Sequence, residues 1–125
     1  MTENEIAKIV VDCCFKIHTT SGPGLFESVY EEVLCYELLK RNLDVKPQME
    51  LPVIYDNIKM DIGFRADIIV ENKLIIELKS IEAIAPVHKK QLLTYLRLTD
   101  MKLGLLINFN EALIKDGIHR IVNNL

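Results

Sequence analysis

Two acids and a lysine are the residues in this chain whose spacing could do chemistry: Asp67, then Glu77 after nine intervening positions, and Lys79 two further on. They sit in the stretch Gly63 to Ser80, where even positions Phe64, Ala66, Ile68, Val70, Leu74, Ile76 and Leu78 are all apolar. Strand side chains alternate between two faces, so this pattern predicts a core face and an opposite face carrying Arg65, Asp67, Glu77 and Lys79. Glu71-Asn72-Lys73 between the two β-branched runs reads as a hairpin loop. Both apolar sets face the core together only if even pairs with even, which requires an odd-length loop, here three residues. In that register Val70 faces Leu74, Asp67 faces Glu77 and Arg65 faces Lys79. Directly opposed like charges cost up to about 1 kcal/mol a pair. A divalent cation between Asp67 and Glu77 relieves that cost, because hard cations prefer carboxylate oxygens. The plainer alternative is a solvated face on which Arg65 with Glu77, and Asp67 with Lys79, form diagonal salt bridges.

Several elements must position this hairpin. Thr2 and Glu5 form a capping-box pattern, and Ile6, Ile9, Val10, Cys13, Cys14 and Ile17 follow at helical spacing, which predicts a helix over 3–19. Its end carries His18, expected as a C-terminal charge or a packed side chain, and Thr19 to Gly24 cannot continue the helix. A second helix is expected over 25–41 with an apolar stripe of Phe26, Val29, Tyr30, Val33, Leu34 and Leu38. Its first turn holds Gly24-x-x-Glu27-x-x-Tyr30. Either Glu27 merely complements the helix N-terminus and Tyr30 is core, or Glu27 is aimed at the charged face of the hairpin.

Residues 45–55 read as a strand, but Pro47 and Pro52 confine it to an edge or make it irregular. With 58–62 it leads into the hairpin as an antiparallel meander. Pro86 opens a third helix over 86–99, on which His88, Gln91 and Tyr95 line one side. They are a polar flank, or hydrogen-bonding groups facing the cleft of Glu77 and Lys79. The continuously apolar run from Leu103 to Phe109 is expected as a buried strand, parallel to the Glu77 strand after a right-handed crossover. Gly117 to Val122 is expected as a short edge strand with His119 toward solvent.

At 125 residues the chain is expected to be one domain, 1–125. Net charge is −3, which argues against affinity for nucleic acid through a general basic surface. Lys89, Lys90 and Arg97 form the one compact basic group. The acidic start, Met1 to Glu5, is unlike a secretory signal, and no apolar run matches a membrane span, so a cytoplasmic location is expected. Cys13, Cys14 and Cys35 lack the spacing of a zinc site and are expected as buried thiols. Gly22-Pro23-Gly24 lacks the Lys and Ser/Thr of a phosphate-binding loop.

Asp67 followed by Glu77-Leu78-Lys79 at a strand end resembles the metal-binding signature of the PD-(D/E)XK nuclease superfamily. Gly24-x-x-Glu27-x-x-Tyr30 resembles the motif of the GxxExxY protein family within it. Arg65-Ala66-Asp67, His88-x-x-Gln91-x-x-x-Tyr95-Leu96 and Leu105-Leu106-Ile107-Asn108-Phe109 extend the likeness over most of the chain. Ala66 stands where the superfamily's name has Pro. The resemblance implies an α/β, restriction-endonuclease-like core with a central mixed sheet flanked by helices. It implies that Asp67, Glu77 and the Leu78 carbonyl bind Mg²⁺ or Mn²⁺, with Glu27 as a further ligand. Lys79 would orient or help deprotonate the attacking water; Gln91, Tyr95, Tyr30 and His88 would support the site or touch substrate. The implied activity is hydrolysis of DNA or RNA. A non-catalytic module that docks a protein partner, or a homodimer, on a nuclease-like scaffold is the competing expectation.

Overall fold

The computed structural model describes residues 1–125. Helices α1 (Glu3–Ser21) and α2 (Glu27–Lys40) precede strands β1 (Val45–Leu51), β2 (Ile54–Tyr55), β3 (Ile58–Lys59), β4 (Phe64–Val70) and β5 (Leu74–Lys79). Helix α3 (Pro86–Thr99), β6 (Leu103–Asn108), a 3₁₀ turn at Ile114–Gly117 and β7 (Ile118–Val122) complete the chain. Five strands form one sheet in the order β1-β4-β5-β6-β7, and β2 and β3 pair separately. All neighbours are antiparallel except β5 and β6, which α3 joins as a parallel crossover. The mixed α/β architecture is the one expected.

Local signals explain the helix boundaries. Thr2 Oγ1 accepts from the Glu5 amide at 3.2 Å, and Glu5 Oε1 accepts from the Thr2 amide at 3.0 Å, so the capping box is formed. Gly22 stops α1 at a positive φ of 69°, where a side chain would be strained. Pro86 opens α3, and His88 satisfies its first turn by accepting from the Ala85 amide at Nδ1, 2.9 Å away.

The sheet lies between two helical layers. Ile6, Val10, Cys13 and Cys14 of α1 and Tyr30, Leu34 and Leu38 of α2 pack on Ile68, Val70, Leu74, Ile76 and Leu78. Leu92 and Leu96 of α3 pack on Ala66, Ile69, Ile75 and Leu106 from the other side, with Phe64 and Tyr95 at the margin. Gly104 lets α3 approach closely, since a Cβ there would sit 2.9 Å from the Leu92 side chain.

Four expectations are corrected. Phe64 and Ala66 do not share a face with Ile68 and Val70: they pack with α3, whereas the latter pack under α1 and α2. The alternation switches at Asp67, where its partner position Gln48 on β1 leaves the ladder with a φ of 51°. The stretch 45–59 is not a simple meander, because β1 pairs directly with β4 while β2 and β3 form a separate projecting hairpin. Asp56 and Asn57, both at positive φ, turn that hairpin. Finally, Phe26, Val29 and Val33 of the expected α2 stripe face outward, and His119 is half-buried rather than in solvent.

Candidate active site

The loop of the β4–β5 hairpin has the expected three residues, and Val70 pairs with Leu74 as the face argument required. Glu71 and Asn72 take the left-handed conformation, and the Lys73 amide donates to the Val70 carbonyl at 3.0 Å. Pairing continues through Ile69 with Ile75 and Ile68 with Ile76, then stops. Asp67 and Glu77 are therefore the first residues beyond the ladder, where the two strands separate.

Separation frees backbone groups, and the side chains answer for them. Asp67 Oδ2 accepts from the Leu78 amide at 2.8 Å, bridging the gap that the ladder leaves. Glu77 stands beside it, and its Oε1 is the one buried side-chain oxygen in the chain without a hydrogen-bond partner. A buried unpaired polar atom costs about 1–3 kcal/mol, more if charged. Burial first, and the neighbouring Asp67 charge second, push the Glu77 carboxyl up to about 8. Its neutral form can hydrogen-bond Asp67, and Lys79 pulls the other way by favouring the ionised form. Burial and the charges of Glu77 and Asp67 also raise the Tyr95 phenol on α3.

Asp67 and Leu78 line a cleft of about 320 Å³ with Glu27, Ser28 and Glu31 of α2 and Gln48 of β1. Glu27, the first residue of α2, reaches the end of β5: its Oε1 accepts from the Ser80 amide at 3.3 Å. Ser80 Oγ in turn donates to the Leu25 carbonyl at 2.6 Å, fastening the α2 entry to the β5 exit. Tyr30 points into the core. Its hydroxyl donates to the Gly22 carbonyl at 2.6 Å and accepts from the Leu25 amide at 3.2 Å, and its ring stacks on Phe109 with centroids 4.3 Å apart. It thus shapes the loop that delivers Glu27 without facing the cleft.

The remaining expected residues divide. Tyr95 stacks on Phe64 with ring centroids 3.9 Å apart, within the electrostatic reach of both acids. Gln91 is exposed on α3, and His88 is occupied in capping that helix. Lys79 is half-buried at the end of β5, opposite Asn108 of β6. Arg65 does not face Lys79: its guanidinium holds Glu50 of β1 at 2.7 Å, because β4 pairs at that point with β1 alone.

Three residues were not anticipated. Glu31 lines the cleft, with burial, opposed by its bond from Gln48 and reinforced by the Asp67 charge, raising its carboxyl. Its position four residues after Glu27 was the available signal, since such pairs share a helix face. Gln48 gave none, because no sequence rule places a glutamine at positive φ in a strand. Asn108 is fully buried and pins the segment after Lys79: Oδ1 accepts from the Ile81 amide at 3.1 Å and Nδ2 donates to the Ile81 carbonyl at 2.9 Å.

A larger cavity, about 660 Å³, opens at the base of the β2–β3 hairpin beside Glu50 and Arg65. Asp67 lines the smaller cleft and not this cavity, and Glu77, with its unpaired oxygen, lines neither.

No three His, Cys, Asp or Glu side chains are grouped as a ready cage for a metal ion. Two adjacent carboxylates, one oxygen unpaired, and a backbone carbonyl suit Mg²⁺, which takes one or two carboxylates and keeps waters or substrate phosphates for the rest. The donor set therefore fits a divalent metal.

The sequence profile of the PD-(D/E)XK nuclease superfamily matches residues 4–121, and the chain belongs to that superfamily. Among curated proteins, none matches. Among solved structures, the crystal structure of SSO0001 is similar at 21% identity and a TM-score of 0.47, covering 96% of this chain and 79% of that one. No helix is long and apolar enough to cross a membrane.

Proposed function

We propose that this protein is a metal-dependent nuclease that hydrolyses phosphodiester bonds of DNA or RNA at the Asp67–Glu77 site. The observation that carries the reading is the buried, partnerless Oε1 of Glu77 beside Asp67, where β4 and β5 part. Membership of a superfamily whose nucleases generally use divalent metals supports it.

Asp67, Glu77 and the Leu78 carbonyl would hold Mg²⁺ or Mn²⁺, with Glu27 at the mouth of the cleft. Bound there, the metal supplies Lewis-acid polarisation of a phosphoryl oxygen and acidification of a water. Asp67 is held in place by the Leu78 amide, so one of its oxygens stays committed and the other free. Lys79 brings positive charge next to the two acids, where negative charge builds up on the phosphoryl group. Asn108 holds Ile81 and so fixes the chain two residues past Lys79. Tyr95, stacked on Phe64, would wall the acids on the α3 side.

The test is incubation of purified protein with Mn²⁺ or Mg²⁺ and single- and double-stranded DNA and RNA. Hydrolysis is expected in wild type and lost in Glu77→Ala and Lys79→Ala. A folded protein that binds Mn²⁺ but cleaves none of these substrates contradicts the reading.

A further inference from the structure

The outer face of α2 is apolar where that of α1 is charged. Exposed positions of α1 include Glu5, Lys8 and Asp12, the latter two paired at 3.8 Å. On α2, Tyr30, Leu34 and Leu38 already face the core, yet Phe26 is 82% exposed, Val29 40%, Val33 38%, Tyr36 60% and Leu39 57%. Phe26, Val29, Val33, Tyr36 and Lys40 follow one another at intervals of 3, 4, 3 and 4 residues. That is the spacing of a seam that a single additional helix covers.

We propose that this seam is the two-fold interface of a homodimer in which α2 packs antiparallel against α2 of a second copy. The ends of the seam are equidistant from Val33, with Phe26 and Lys40 each seven residues away, while Val29 lies four before it and Tyr36 three after. Reversing the helix about Val33 sets Val33 on Val33 and Phe26 against Lys40, and brings Val29 within one residue of Tyr36, a self-complementary arrangement.

Charge agrees with the antiparallel direction. Glu27, Glu31 and Glu32 lie in the N-terminal half of α2, whereas Lys40 ends it and Arg41 caps it; the one acid of the C-terminal half, Glu37, is buried between Lys16 and Lys40. Two-fold packing brings the acidic part of each helix toward the basic end of the other, and it opposes the helix dipoles. Lys40 Nζ already sits 5.1 Å from the centroid of the Tyr36 ring. The Phe26 ring of the second copy would give it another aromatic face.

Area sets the strength. Aromatic side chains bury roughly 150–250 Å² each. Phe26 and Tyr36 with Val29, Val33 and Leu39 therefore remove roughly 400–500 Å² per copy. The two-fold total, roughly 800–1,000 Å², falls in the range of weak, transient interfaces. Association in the micromolar range is the expectation.

Light scattering and sedimentation of the full chain across the micromolar range test this. Wild type should approach twice 14.4 kDa as concentration rises. Val33→Glu sets two carboxylates face to face on the axis and should weaken association by about 100-fold or more. Tyr36→Glu should act in the same direction, and circular dichroism should show both variants folded, since both positions are exposed. Val33→Cys should give a disulfide-linked dimer on oxidation, whereas Lys8→Cys on α1 should not. A single-chain mass throughout, or a dimer that survives Val33→Glu and does not cross-link through Val33→Cys, overturns the proposal.

Discussion

The two ends of the β4–β5 hairpin obey opposite rules. At the loop end, Ile68, Val70, Leu74 and Ile76 are fully buried, the ladder is regular, and Ile69 and Ile75 fill the opposite face under α3. At the other end the ladder stops, Asp67 spends an oxygen on the Leu78 amide, and half-buried Glu77 keeps one buried oxygen to spare. The same two strands thus hold fully buried packing beside the molecule's one buried, unpartnered side-chain oxygen. Polar groups that folding leaves unpaired are retained where something else completes them. The rigid end holds the open end in a geometry it would not choose for itself.

Substitutions that act on one end and spare the other break the comparison. The largest effect should come from removing the acids: Asp67→Ala or Glu77→Ala should lower nuclease activity by more than about 100-fold. Loss of an outer partner of a metal ligand alone costs about 10–100-fold. Both variants should stay folded by circular dichroism. Next, Ile76→Ala at the closed end should cost about 2–5 kcal/mol in denaturant unfolding, because it opens a cavity under α1 and α2.

Glu77→Gln should do the reverse in metal-free protein. The Glu77 carboxyl rises from an ordinary value of 4.5 to about 8 in the folded state, so between those values the folded chain binds more protons than the unfolded one. Its contribution to stability is fully present below pH 4.5 and is lost as pH rises through about 8. Metal-free wild type should accordingly melt at a falling temperature across that window, and Glu77→Gln should flatten the profile. The smallest effect should be Arg65→Ala, within about 0.5 kcal/mol, since both members of the Arg65–Glu50 pair are more than half exposed.

How much of this the sequence disclosed follows the same division. The closed end was legible because strict alternation allows only one register and only an odd loop, and Pro86 and the run 103–109 marked the crossover equally well. The open end was half legible. Opposed carboxylates were expected between Asp67 and Glu77, but the ladder's end at Ile68 was not. Gln48 adopts a backbone conformation that no local rule assigns to glutamine, and the face switch at Asp67 goes with it. Arg65 meets Glu50 and not Lys79 because β4 has two neighbours, and only the hairpin partner is visible in the local pattern. On α2 the apolar positions are too many for one buried face, and periodicity does not say which of two faces meets the sheet.

The central claim is that the Asp67–Glu77 pair is completed by a metal ion, and calorimetric titration with Mn²⁺ near pH 6.5 in two buffers of different ionisation enthalpy tests it most directly. With Glu77 largely protonated at that pH, binding should release close to one proton per ion, and Asp67→Asn should abolish it. Absence of binding, or binding that releases no proton and survives Asp67→Asn, would contradict the account.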